Sequence, residues 1–319
     1  MRIVLWLALA LIATPGQAQT PARFSFAIVG DTPYSAFEEV VFAQMLQETN
    51  AEDLAFVVHV GDIKSSGSPC SDELYHQRKR MFQASRHPFI LVPGDNDWTD
   101  CHRNTAGGYD PLERLARLRQ VFYADDLSLG LSTLKLERQS DDPASAAAFH
   151  EYRENVRWVL NGVLFIGLNI PGSNDNYGRT PQMDTEHELR GRANAAWLAQ
   201  GFDLARKMDY AAVFVFIQAD PDFELSFLRR KSDGYAAFKK KLLAHTLAFS
   251  KPVVLVHGDS HRFRVDQPLV DPATRARVEQ FTRIESFGSP LVDWIKVTLD
   301  PDRPKLMSVR TGKPLNPGL

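Results

Sequence analysis

The chain has 319 residues, 44% of them hydrophobic, with a formal net charge of −2 and two cysteines. That length suits one large domain or two small ones, and the apolar content is enough for a sizeable core. The near-balanced charge gives no sign of a nucleic-acid or anionic-membrane partner, and none is expected.

Arg2, the apolar run Ile3 to Ala13 and the small residues around Gly16-Gln17-Ala18 read as a signal peptide cleaved after Ala18. The run is too short to span a bilayer. Residues 19–319 are therefore expected to form a single exported domain, periplasmic or secreted, with no membrane span. In an oxidising compartment the pair Cys70 and Cys101 reads as a disulfide. Phe24 to Val29 is a buried strand ending in Gly30-Asp31, and Phe37, Val41 and Met45 mark a helix after it. Leu54 to Val60 is a second buried strand, ending in Gly61-Asp62. Ser71 or Asp72 caps a helix toward Ala84. Phe89 to Val92 is a third strand, ending in Pro93-Gly94-Asp95. This alternation predicts a parallel α/β arrangement.

Pro111 opens a helix through Phe122. Val156 to Leu160 and Val163 to Ile170, joined by Asn161-Gly162, predict a hairpin with a type I′ turn. Residues 171–183 form a polar loop before a helix over Glu186 to Lys207. Ala211 to Ile217 is a strand ending in Gln218-Ala219-Asp220. A helix over Tyr235 to Phe249 leads to a strand over Pro252 to Val256, which ends in His257-Gly258-Asp259-Ser260-His261. Short strands at 262–265, 281–287, 294–299 and 305–309 give the last third an antiparallel pattern.

Asp31, Asp62, Asp95 to Asp97, Gln218 to Asp220, and Asp259 with His261 all follow the C-terminal end of a buried strand, the edge where open α/β sheets bind ligands. A lone Asp there is as a rule a turn former or cap. Five such ends together press like charges against one another, which a divalent cation would relieve.

These residues carry a resemblance. GDTPY at Gly30, GDIK at Gly61, GDND at Gly94 and GDSH at Gly258 resemble, in order and spacing, the motifs of the calcineurin-like metallophosphoesterase superfamily, and the strand before Gln218 fills the remaining motif. The resemblance spans Phe24 to Leu299. It implies a four-layer α/β/β/α sandwich with mixed sheets, two adjacent metal ions and hydrolysis of phosphate mono- or diesters by a metal-activated water. Residue by residue, it places one ion on Asp31, Asp62 and His261, with Pro33 at a position where the family has a His. It places the other on Asp62, Asp95, Gln218 and Asp259. Asn96 stands where the family has its proton-donating His. Oxygen-rich ligands favour Mg, Mn or Ca over Zn.

Around that set, His102 is a candidate replacement acid, Arg103 a candidate phosphate ligand, and Asn174 and Asn176 candidate substrate contacts. His59 is expected in the core, His257 either in the core or at the site, and Trp98 and Trp294 as packing residues. The expected function is an exported metal-dependent phosphoesterase acting on a small phosphorylated substrate. The alternative is a non-catalytic protein of the same fold that uses its acidic cleft to bind a cation or ligand.

Overall fold

A computed structural model describes residues 22–224, 233–300 and 306–312; the expected signal peptide lies outside the described residues. The strands are β1 (Phe24–Val29), β2 (Val57–His59), β3 (Phe89–Leu91), β4 (Glu137–Arg138), β5 (Val156–Leu160), β6 (Val163–Gly167), β7 (Ala212–Phe216), β8 (Val253–His257), β9 (Arg264–Asp266), β10 (Phe281–Glu285), β11 (Ile295–Leu299) and β12 (Met307–Thr311). The helices are α1 (Ala36–Ala51), α2 (Asp72–Gln83), α3 (Pro111–Phe122), the single turns α4 (Ala146–Phe149) and α5 (Gly172–Asp175), α6 (Pro181–Lys207) and α7 (Ala236–Phe249).

A five-stranded sheet runs β12-β11-β1-β2-β3 and a seven-stranded sheet runs β4-β5-β6-β7-β8-β10-β9. Both are mixed: β1, β2 and β3 are parallel, as are β6, β7, β8 and β10, while β11, β12, β5 and β9 join antiparallel. Successive side chains of a strand point to opposite faces, and β1 shows the result. Ala27 and Val29 pack on the α1–α3 side with Val41, Phe42, Phe82 and Leu118. Phe26 and Ile28 face the other sheet, meeting Phe56, Phe165, Phe214 and Phe216. A third core lies between the seven-stranded sheet and α6 and α7, built on Trp197, Phe202, Leu242 and Phe249. Three stacked cores separate four layers, the expected α/β/β/α sandwich.

Local chemistry sets most boundaries. Ser35, Ser71, Asp110 and Thr180 accept backbone N–H bonds at the starts of α1, α2, α3 and α6, satisfying donors that a helix leaves open. α6 begins earlier than expected because Thr180 caps it and Pro181 fits the first turn. Asn161 and Gly162 both take positive φ, as a type I′ hairpin requires. The last third is not wholly antiparallel. After β8 the chain forms the edge strand β9 and returns as β10 between the two, parallel to β8.

Cys70 and Cys101 form a disulfide between the loops after β2 and β3, with Cα atoms 5.7 Å apart. Both are fully buried. Closing a loop across 31 positions stabilises the fold by about 3–4 kcal/mol in the chain-entropy description. Replacing both cysteines with serine is expected to lower the denaturant midpoint accordingly; an unchanged midpoint would contradict this.

Candidate metal centre

The parallel strands of both sheets deliver their C-terminal ends to one edge of the sandwich. Asp31, Asp62, Asp259 and His261 lie in the turns there with φ of 53°, 57°, 76° and 59°. This left-handed region is one that Asp and His enter more readily than most side chains. The turns are stitched together: Asp31 N–H donates to the Gly61 carbonyl, Gly258 N–H to the Gln218 carbonyl, and Ser289 N–H to the Asp31 carbonyl. A Cβ on Gly94 would collide with the Asp62 carboxylate. Glycine at this strand end therefore makes room for a neighbouring acid.

Four acids and an amide meet at this edge. Asp31 accepts the Asp259 backbone N–H on both oxygens, at 3.0 and 3.1 Å. Asp62 accepts from Asn96 N–H at 3.0 Å and from the Asn96 amide at 2.7 Å. Asp95 accepts the Ser173 hydroxyl at 2.7 Å. Asp259 accepts Asp220 N–H at 3.1 Å and the Gln218 amide at 3.4 Å. His261 donates Nδ1–H to the Ser289 carbonyl at 2.7 Å, which turns Nε2 toward Asp31 Oδ1, 3.7 Å away. Asp97 has a different part. Its carboxylate accepts N–H bonds from Gly94, Asp62 and Ile63, so the third residue of the DND triplet fixes the turns that present the first.

Burial raises the pKa of all five carboxyl groups. Asp31 and Asp62 are pushed well up, with the charges of Asp259 and Asp95 respectively adding to burial. Asp95 rises to about 7 through burial and then the charge of Asp259. Asp97 and Asp259 are also raised by burial, against the backbone N–H bonds they accept. Lys64, fully buried and donating to the Ser65 carbonyl at 3.1 Å, brings one positive charge into this field, its pKa lowered by burial and drawn back up by Asp97 and Asp62. A carboxyl held protonated by the fold stabilises the folded chain fully below the unfolded pKa of about 3.9, and that contribution is lost as pH rises through the folded value. The chelator-treated protein is therefore expected to lose stability between about pH 4 and 7. A divalent cation should flatten the fall; a flat profile in chelator would refute the coupling.

The loop after β6 closes over these acids. Gly172 N–H donates to Gln218 Oε1. A Cβ on Gly172 would stand 2.7 Å from Asp259 Oδ1 and 2.8 Å from Asp95 Oδ1. The two carboxylates thus form a cradle that only a glycine backbone leaves open. Gly172→Ala is expected to weaken cation binding at least about tenfold, the lower end of what lost supporting contacts cost, while the fold persists. Calorimetric titration would show it, and unchanged affinity would count against the cradle.

The other expected site residues fall in three groups. At the rim, Arg103 and Arg179 both pair with buried Asp100, at 2.6 and 2.7 Å, and Ser173 bridges Asp95 to Asp100. His102 is exposed beside them, donating to the Thr99 carbonyl. Asn174 and Asn176, expected to face substrate, brace the loop instead. Asn174 holds the Tyr177 carbonyl and Gly234 N–H, and buried Asn176 holds Glu186, because successive positive-φ residues from Ser173 to Asn176 coil the loop onto the scaffold. In the core, His59 is satisfied on both nitrogens, by the Thr32 carbonyl and Gly61 N–H, and burial lowers its pKa to about 4. His257 is buried too, with Nδ1 on the Gly258 carbonyl. Trp98 packs under the buried Arg190 guanidinium, and Trp294 belongs to the core beneath α1–α3. Tyr34, Ser173, Asp100, Arg179 and Lys64 were not among the expected site residues.

Among the described residues, no three His, Cys, Asp or Glu side chains stand together as a ready metal cage. No sequence-family model matches the chain, and no curated protein sequence does. Solved structures do match. A structure of PhoD, 13% identical, superposes over 93% of this chain and 70% of its own, with a TM-score of 0.56. A dimetal phosphatase from Danio rerio, 12% identical, does so over 90% of this chain and 95% of its own, also at 0.56. The chain has the calcineurin-like metallophosphoesterase fold. Its acid cluster occupies the strand-end edge where the metallophosphoesterase resemblance places metal, and the four carboxylates, amide oxygen and imidazole gathered there are group types that bind divalent ions.

Proposed function

We propose that the chain is a metal-dependent hydrolase of a phosphate mono- or diester, exported as the one domain that follows residues 1–18. The observation that supports it is the charge imbalance at the strand-end edge. Asp31, Asp62 and Asp95 are buried with Asp259 half-buried beside them, and among the described residues the one ion-pair partner of the four is His261 on Asp31. Asp31, Asp62, Asp95, Gln218, Asp259 and His261 would hold one or two divalent ions, with Mg, Mn or Ca preferred to Zn. A divalent ion there supplies Lewis acidity and charge neutralisation for attack on phosphorus.

The chain's own residues do the rest. Asn96, its amide beside Asp62, positions a phosphate oxygen. Arg103 and Arg179, oriented by Asp100, draw the anionic substrate to the rim and hold it there. His102 is the rim group that would protonate a leaving group if alkyl and aryl esters are cleaved equally fast. The test is turnover of an aryl phosphomonoester and an aryl phosphodiester with each of Mg, Mn, Ca and Zn. Metal-stimulated release of the phenol supports the proposal. No turnover with any metal favours the second reading, a non-catalytic cation-binding protein, to which Asn96 in place of a proton donor already points.

A further inference from the structure

We infer that Tyr34 stands in for one ion of a pair, so that the chain binds a single divalent cation, on the side formed by Asp95, Gln218 and Asp259. The inference rests on the metal-dependent reading above and refines it to a one-ion centre.

The two halves of the acid cluster differ. On the Asp95 side the donors are oxygens gathered around the cradle beneath Gly172. On the Asp31 side, where Pro33 supplies no donor, the space between the remaining candidates is filled. The Tyr34 hydroxyl donates to Asp62 Oδ2 at 3.1 Å, accepts the Asn96 amide at 3.2 Å and lies 3.5 Å from His261 Nε2. Its ring stands edge-on to the His261 ring, with centroids 5.6 Å apart. Small hard ions bind oxygen at about 2.0–2.1 Å. An ion joining Asp62 Oδ2 to His261 Nε2 would therefore need the place that the phenol oxygen and its proton take. Asp31, the third candidate on that side, has both oxygens engaged by Asp259 N–H, with the Ser286 hydroxyl 3.4 Å from one of them.

Tyr34 is also held where it is. Its N–H donates to Glu38 Oε2 at 2.7 Å, and Ser289 donates to Glu38 Oε1 at 2.6 Å. The Pro33 carbonyl accepts Arg78 at 3.3 Å. The first turn of α1 and the β10–β11 connection thus fix the segment from both sides. A neutral phenol on Asp62 replaces an ion's contact with that oxygen by a hydrogen bond, and the position that His261 would share with an ion is closed.

The full chain purified after export, stripped and reloaded with Mn2+, tests this by equilibrium dialysis and electron paramagnetic resonance. About one Mn2+ per chain with the spectrum of an isolated ion is expected. Tyr34→Ala, which empties the space, should raise the count to about two and give the spectrum of a coupled pair. Two ions in the wild type would overturn the inference while leaving the hydrolase reading intact, and a fall from two to one in Tyr34→Ala would make Tyr34 a ligand. One ion in both proteins would overturn the assignment to Tyr34. No ion in the wild type would overturn the metal-dependent reading itself. If Tyr34→Ala fails to fold, the wild-type count and spectrum still decide.

Discussion

Asp95→Ala is expected to abolish cation-induced stabilisation and ester hydrolysis together. Asp95 is the acid that both the loop after β6 and the DND turn converge on. It accepts Ser173, faces Gly172 and lies in the field of Asp259. Loss of an outer-shell partner costs roughly 10–100-fold in metal affinity or activity, so loss of this carboxylate should exceed that range, whereas Ser173→Ala should fall within it. The thermal shift on adding Mg or Mn should vanish in Asp95→Ala, since only an ion bound by the folded chain produces it. A variant that keeps both the shift and turnover would remove Asp95 from the centre.

The second large effect concerns the leaving group. Asn96 has no titrating proton, and its amide is already committed to Asp62 and Tyr34. It can hold a phosphate oxygen only by giving up one of those two bonds, and it cannot protonate a departing alkoxide. General acid help is worth about 10²–10⁴-fold, and less for leaving groups that need no proton. Esters of acidic phenols should therefore be cleaved well and alkyl esters poorly. Asn96→His is expected to raise alkyl-ester turnover selectively and to narrow the ratio between the two classes. Equal chemical-step rates on alkyl and aryl esters in the wild type would show that another acid acts, and His102→Gln would then be expected to separate them.

Much of this was legible in the sequence because short-range rules and long-range geometry agreed. Buried strands ending in Gly-Asp announced both the parallel sheets and the edge where Asp31, Asp62, Asp95 and Asp259 meet. Cys70 and Cys101 could be paired because their loops follow neighbouring strands. Other parts depended on contacts across the chain that no local pattern encodes. Ser173 reaches Asp95 across 78 positions, and nothing in the polar loop around it marks that residue above Asn174 or Asn176. Arg179 precedes a helix cap and reads as a solvent-facing cation until Asp100 is seen beside it. Tyr34 lay inside a motif whose absent His drew attention to Pro33, and its role follows only from how α1 holds the segment. The parallel return of β10 was hidden because an edge strand intervenes in sequence but not in space.

The strand order has a consequence for how the chain acquires its shape. β1, near the start of the described residues, has β2 on one side and β11 on the other, and β12 lies beyond β11. Such pairings give a high contact order, and folds dominated by them form slowly. During directional synthesis β1 presents an unpaired edge open to association with other chains until β11 has emerged. The β10–β11 connection, which holds Asp31 through Ser289, arrives in the same late stretch. Sheet completion and the locking of the acids then coincide, so a partly made chain offers neither a closed sandwich nor a finished grip on a cation.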